Sequence, residues 1–245
     1  GGRVFFSSMV AATGALGTWQ AQRYYWKVNL VKEREAAVAA EPVEISKDDA
    51  PPEFTRVIVR GRFDHSHQVL VGPRSPPAGS LAAAQGPEPQ SGWLVITPLH
   101  GDGPDGQSFL VNRGWVPRDS VHAITQPEGD MTVSGVVRKA EEPGTFTPDA
   151  QPGSGRYFHI DTATMALEAE LFETVPILVE AISDDESPFT RKEAWPLQRT
   201  KDSLLAFRVN PEMHIVYSVT WYTLFAASAA LTAMRFKKRP QKHAA

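Results

Sequence analysis

The sequence contains no cysteine. That excludes a disulfide framework, a thiolate zinc or copper site, a paired-thiol redox motif and a cysteine nucleophile. A positive charge balance is also missing: 25 Lys and Arg stand against 28 Asp and Glu, for a net charge of −3. General nucleic-acid binders displace phosphate counterions with a basic surface, so no nucleic-acid partner is expected. Internal repeats are absent. At 42% apolar and 22% charged residues over 245 positions, the chain has the make-up of one or two folded domains.

Catalytic signatures are equally scarce. Gly153-Ser-Gly155 lacks the strand and helix of a nucleophile elbow and reads as a turn. Gly101-Asp-Gly-Pro-Asp-Gly106 fits neither a phosphate nor a calcium loop and reads as a hairpin connection. His65 and His67, beside Asp64, are expected to put two imidazoles on one face of a strand. Without a third and fourth ligand they read more simply as surface histidines than as a metal site. With no triad, thiol or metal cluster in view, the chain is not expected to be an enzyme.

What the chain has is an uneven charge distribution. Residues 235–245 hold five Lys and Arg and no acid, leaving 20 basic and 28 acidic groups elsewhere. Before this basic tail runs His214–Phe236, with no acidic residue and no Lys or Arg until Arg235. As a helix it spans ~33 Å, against a hydrocarbon core of ~30 Å. It reads as a membrane span whose basic flank places the C-terminus on the cytoplasmic or matrix side. A second uncharged run, Val4–Trp19, extends through Trp26 if Arg23 snorkels to the interface. A signal peptide is the alternative for this run, but it has no small-x-small cleavage pattern. The opening Gly-Gly-Arg, in place of Met, slightly favours an imported and processed protein.

The expected layout is therefore a transmembrane helix over residues 4–26, a stalk helix over 27–41 ended by Pro42, a soluble β-rich domain over 42–209, a second transmembrane helix over 212–236, and a basic tail over 237–245. Small residues four apart (Ser7, Ala11, Ala15, and Thr223, Ala226, Ala227, Ala230) are either faces for close helix approach or alanine-rich filler. Between the helices, β-branched and aromatic runs bounded by Gly, Pro, Asp and Ser predict strands. They cover Phe54–Phe63, Gln68–Val71, Trp93–Leu99, Ser108–Val116, Met131–Arg138, Val175–Ile182 and Leu204–Val209. A helix is expected over Asp161–Phe172, capped by Asp161, with Met165, Leu167, Ala169 and Leu171 available for its buried face. Pro73–Gly92 and Ser183–Pro196 read as long loops. The fold class is an α+β membrane protein: two terminal transmembrane helices flanking a largely antiparallel, partly barrel-like β domain with one or two helices.

The candidate site lies where the two spans leave the lipid. Trp19, Gln20, Arg23 and Tyr24 ring one helix; His214, Tyr217, Thr220 and Trp221 ring the other, at the same depth if the two form a hairpin. An imidazole can ligate iron, Arg can pair with propionates, and aromatic rings can flank a macrocycle. An interfacial aromatic belt with one polar anchor explains the same residues.

Four motifs in order resemble the Surfeit locus protein 1 family over almost the whole chain. They are Leu16-Gly-Thr-Trp-Gln-Ala-Gln-Arg23 with Lys27; Gly61-Arg-Phe-Asp-His-Ser66; Val111-Asn-Arg-Gly-Trp-Val-Pro117; and His214, Tyr217, Thr220, Trp221 and Tyr222. The resemblance implies a two-helix protein of the mitochondrial inner membrane, or of a bacterial plasma membrane. Its domain would face the intermembrane space, with both termini in the matrix. It implies a role in assembling cytochrome c oxidase, with the catalytic subunit, other oxidase subunits or assembly factors, and the lipid bilayer as partners. Haem a is the implied cofactor. His214 falls on the family's helix histidine, as the metal ligand, with Tyr217 and Trp221 at matching offsets and Trp19, Gln20 and Arg23 opposite. A permanent accessory subunit without cofactor is the alternative. Arg113 and Gly114, within the third motif, read from the residues as a turn or bulge with a fixed arginine.

Overall fold

Alternating apolar residues between turn formers dictate strands through the middle of the chain, and uninterrupted apolar runs dictate helices at its ends. The computed structural model describes residues 1–45, 51–78, 80–84, 90–101, 106–148, 153–171, 177–183, 195–205 and 211–237. The chain divides into two units, Gly1–Glu33 with Phe207–Ala245, and Arg34–Ala206.

In chain order the strands are β1 (Val43–Glu44), β2 (Arg56–Phe63), β3 (Val69–Arg74), β4 (Gly92–His100), β5 (Ser108–Pro117), β6 (Asp130–Arg138), β7 (Arg156–Tyr157), β8 (Leu178–Ser183) and β9 (Arg199–Thr200). The helices are α1 (Gly2–Ala39), α2 (Leu81–Ala84), α3 (Thr162–Glu168), α4 (Lys201–Leu205) and α5 (Pro211–Phe236).

All strands but β9 join one sheet in the order β1-β2-β6-β8-β5-β4-β3-β7, and β9 extends β8. The end of β2 also pairs with the end of β4, at Arg62–His100 and Phe63–Leu99. Five strands, β2, β6, β8, β5 and β4, thus close into a small barrel, as the antiparallel barrel-like expectation requires. Inward residues at every second position fill it: Val57 and Val59 from β2, Val133 and Val137 from β6, Val179 and Ala181 from β8, Phe109 and Val111 from β5, and Leu99 from β4. Each larger side chain buried this way contributes ~1.5–3 kcal/mol. A second cluster lies where α3 packs Met165, Ala166 and Ala169 on Val71, Ile96, Leu110 and Tyr157.

The β4–β5 register slips between Val95 and Ile96: Val95 pairs with Gly114 and Ile96 with Asn112, so Arg113 is the extra residue of a bulge. Gly114 follows at φ +130°, and a Cβ there would overlap the carbonyl oxygen of Leu197. That space is occupied because Trp115 and Leu197 exchange backbone hydrogen bonds of 2.9 and 2.7 Å. The bulged arginine read from the sequence is present.

Several expectations need correction. Leu204 and Leu205 are helical, in α4, rather than the start of a strand. Thr200 begins the helix, its hydroxyl accepting from the Ser203 N–H at 3.1 Å, which is a cap signal that outweighs the apolar run. Residues 206–209 lie outside the described residues. The stretch Pro73–Gly92 is not all loop: β3 runs on to Arg74 and α2 occupies Leu81–Ala84. Ser183–Pro196 lies outside the described residues over 184–194. Asp161 does cap α3, accepting from Thr164 N at 3.1 Å. The helix ends at Glu168, and Glu170 turns left-handed at φ +56°. Leu167, expected in the buried face, is 63% exposed, because Met165, Ala166 and Ala169 share the inward face of a 3.6-residue period. The end of α1 is not a bare stalk: Val38 is buried against Val136, Ile182 and Leu204.

Replacing Gly114 with alanine should lower stability by at least ~2 kcal/mol, since it adds overlap to a strained φ. Gly129→Ala, at φ +83° with open space around it, should cost only the ~1 kcal/mol of left-handed backbone. Denaturant unfolding of the purified chain compares the two.

Candidate functional site

The unit Gly1–Glu33 with Phe207–Ala245 is built on two helices, and their sequences explain why each forms. Between Gly1 and Glu41 there is no proline, and the next residue, Pro42, stands just past the end of α1. Helix α5 starts on Pro211, where a missing N–H is harmless, and carries Glu212 in its first turn and Arg235 in its last, both favourable to the helix dipole. Of the two, α5 is long and apolar enough to cross a membrane; α1 falls short of that apolarity. Hydroxyls along both helices donate back to their own backbone, among them Thr13 to Met9, Thr18 to Gly14, Thr220 to Val216 and Thr232 to Ser228. This satisfies polar groups without help from solvent.

The helices run antiparallel. Phe6 meets Phe236 edge-on at 6.0 Å, Gly14 faces the Phe225 ring, and Gln20 reaches His214. They also approach closely at Gly17. A Cβ there would lie 3.1 Å from the Tyr222 ring, and the Ser218 hydroxyl donates to the Gly17 carbonyl at 2.9 Å. One residue on, the Thr18 and Tyr222 hydroxyls lie 3.0 Å apart. Among the less exposed positions, Val10, Thr13, Gly17, Gln20 and Tyr24 on α1 recur at three and four, as do His214, Ser218 and Trp221 on α5, with Ser228 seven further on and Thr232 four beyond it. That is coiled-coil spacing. The small residues four apart do not form this contact: Ser7, Ala11, Ala15, Thr223, Ala226, Ala227 and Ala230 are all exposed, on the outside of the pair. The contacting Gly17 and Ser218 were legible only in the three-four spacing.

At the upper end of this interface, Nδ1 of His214 sits 2.8 Å from Oε1 of Gln20. An amide oxygen only accepts, so Nδ1 carries the proton and Nε2 keeps its lone pair. Arg23 stacks on the ring of Trp26 at 4.0 Å rather than reaching His214. Trp221 is half-buried, whereas Trp19 is 53% and Tyr217 48% exposed, on the flanks of the interface. Of the six expected residues the structure joins Gln20 and His214 directly. It leaves Trp19, Arg23 and Tyr217 as an exposed rim and Trp221 in the interface.

The cluster around Asp64 is also resolved. His65 and His67 lie in a single 3-10 turn rather than on a strand, because the Asp64 carboxylate accepts from Ser66 N at 2.9 Å and caps it. His65 Nε2 contacts the Pro127 carbonyl at 2.9 Å, and His67 Nδ1 bonds Asp64 instead. The two imidazoles are held apart, and no metal-binding group of three or more His, Asp or Glu exists among the described residues. Desolvation alone would raise the Asp64 pKa, but hydrogen bonds from Ser66 and His67 outweigh it and hold the carboxyl well below its usual range. The same bond to Asp64 raises the pKa of His67.

The sequence matches the SURF1 family over residues 8–226. The chain belongs to the SURF1 family. It is 35% identical to human Surfeit locus protein 1 over 233 residues, covering 90% of this chain and 73% of the human protein. Against the rat protein of the same name it is 32% identical over 247 residues, 96% of this chain and 76% of that one. The Arabidopsis thaliana protein of that name is 29% identical over 280 residues. The SURF1 match contains both Gln20 and His214, the bonded pair, and the Arg113 bulge.

Two outcomes test this geometry. In the cysteine-free chain, Gln20→Cys with His214→Cys should be joined by a short thiol crosslinker, and Gly17→Leu should abolish the product on gels by forcing the helices apart. In NMR titration, His67 should titrate above 6.5, and Asp64→Asn should return it toward that value. The sign follows: this pair's contribution to stability is full below pH 6.5 and fades as pH rises through the raised His67 value. At the acid end, Asp64's share is present above 3.8 and is lost as pH falls through its depressed value.

Proposed function

We propose that the chain is a membrane-anchored assembly factor for cytochrome c oxidase, not an enzyme, and that it handles haem a at the Gln20–His214 end of its helix pair. Membership of the SURF1 family supports the assembly role. One observation carries the haem reading: the Gln20 amide pins Nδ1 of His214 and leaves Nε2 free to ligate. Metal-binding imidazoles are typically held in this way by a partner on the other ring nitrogen. The donor set therefore fits an iron porphyrin, which His214 would hold through Nε2. Trp19, Tyr217 and Trp221 would flank the macrocycle, and Arg23 would face a propionate. When bound, the haem would contribute a redox-active iron; the chain's own work is to orient the imidazole and keep its tautomer.

In this reading both α1 and α5 cross the bilayer, the basic tail anchors the matrix or cytoplasmic side, and residues 42–209 face the intermembrane space or periplasm. Antiparallel pairing along the full length of α5 supports two crossings. Eukaryotic relatives favour the mitochondrial inner membrane, with a bacterial plasma membrane as the other setting.

A second reading draws on the exposed small residues. Ser7, Ala11 and Ala15, with Ala226, Ala227 and Ala230, leave outer faces that another membrane helix can approach closely. A permanent accessory subunit would use them against the oxidase and would co-purify stoichiometrically with the mature enzyme. An assembly factor would be enriched in early intermediates.

The deciding experiment purifies the chain after co-expression with haem a synthesis. A Soret band lost in His214→Ala is expected, and Gln20→Ala should weaken haem retention by about 10–100-fold, as loss of an orienting partner does. No band, or one indifferent to both changes, would remove haem from the proposal while leaving the assembly role to be judged by oxidase content in cells lacking the protein.

A further inference from the structure

Beyond the helix pair, the barrel has an opening of its own. β6 and β8 pair from Gly135 to Arg138 on one strand and Leu178 to Ala181 on the other. Past Ala181 they separate, because β8 turns to pair with β9. From Met131 to Ser134, β6 keeps β2 on one edge and has no described strand on the other. A cavity of about 600 Å³ fills the gap. It is lined by four consecutive residues of β6, Met131–Ser134, and faced by four more, Trp195–Gln198. Side chains of a strand alternate between faces, so only its edge can present four neighbours to one cavity. The lining is therefore backbone N–H and C=O as much as side chain, over a length of ~13 Å at 3.3 Å per residue.

Arg113 stands at the inner end. It follows the inward Phe109 and Val111 at every second position and is only 6% exposed. Its partners among the described residues are all neutral: the Thr125 carbonyl at 2.6 Å, the Gln68 amide oxygen at 3.3 Å and the face of Phe63 at 5.0 Å. No described carboxylate compensates its charge there, and burial pulls its pKa down to about 10. A buried cation without an anion is costly, and the cavity leaves room for one to arrive.

We propose that the slot between β6 and Trp195–Gln198 receives an extended acidic segment of a partner polypeptide, added as a strand to the open edge of β6, with a carboxylate on Arg113. The edge supplies main-chain hydrogen bonds and Arg113 supplies selection for charge, the division found when peptides join a sheet edge. A free small anion would use the arginine and leave the edge idle. The inference does not depend on haem binding or on the assembly role.

The test uses the full chain in nanodiscs and a pool of blocked heptapeptides with randomised β-forming residues around a central Asp or Asn. Asp peptides should be recovered over their Asn counterparts by about tenfold, the worth of one charge-assisted bidentate contact. N-methylation of alternate amides in a recovered peptide should abolish binding. Arg113→Met should remove the preference for Asp. Met131→Trp, which narrows the slot and spares the arginine, should block binding if Arg113→Met does not fold. Equal recovery of Asp and Asn peptides, binding that survives N-methylation on either register, or no recovery at all would each overturn the proposal.

Discussion

Two helices in lipid gain little from hiding apolar surface from each other, because the surrounding chains are as apolar as they are. Pairing then rests on how closely the backbones approach and on the polar bonds that cross between them. In this protein the approach is set at Gly17, where a missing side chain admits the Tyr222 ring and the Ser218 hydroxyl reaches a backbone carbonyl. That contact also sets register. A helix advances 1.5 Å and turns 100° per residue, so a slip of one position at Gly17 would carry His214 off Gln20. The chemistry of the imidazole is therefore decided a full turn away, at a glycine with no chemistry of its own.

The β domain obeys a related constraint. Closing five strands into a ring requires local departures from regular pairing, and the departure between β4 and β5 is the single extra residue Arg113. The bulge does two things together. It brings Gly114 to a backbone conformation open to glycine, and lets Leu197 pair with Trp115 in the space a side chain would have filled. The Trp115 indole N–H then bonds the Arg74 carbonyl at 3.0 Å, tying β5 to the end of β3.

Much of this was legible in the residues. Period-two runs located six strands because each places one face in a core, and Asp161 announced α3 because a carboxylate three residues before a free N–H is a local signal. The bonded pair at the membrane end was half legible: both residues could be named, but not that they would meet, since contact depends on register. The small residues four apart left two readings even, and they lie outside the pair because two helices that wrap around each other alternate three and four. Leu204 and Leu205 were misread because an apolar pair reads alike in helix and strand, and the deciding Thr200 cap lies upstream. A partly closed barrel was expected from the many short strands, but which strands close it could not be read. Closure depends on two pairs between β2 and β4, which no periodicity within either strand encodes.

The polar contacts of the helix pair are unevenly placed along it. Near the chain ends, Arg3 and Phe6 meet Phe236 through aromatic faces and edges. Toward the other end come Ser218 on Gly17, Tyr222 beside Thr18, and His214 on Gln20. Other hydroxyls along the helices close on their own backbone. Side-chain hydrogen bonds between the helices thus gather toward the His214 end, while hydroxyls that close on their own backbone occur along both helices. His214 is the last of this series. Its Nδ1 is satisfied by Gln20, while no described residue hydrogen-bonds its Nε2. Because the pair is already held by the contacts behind it, that nitrogen is not needed for structure. The side chain is thus fixed in place by one bond, with Nε2 left at a half-exposed position.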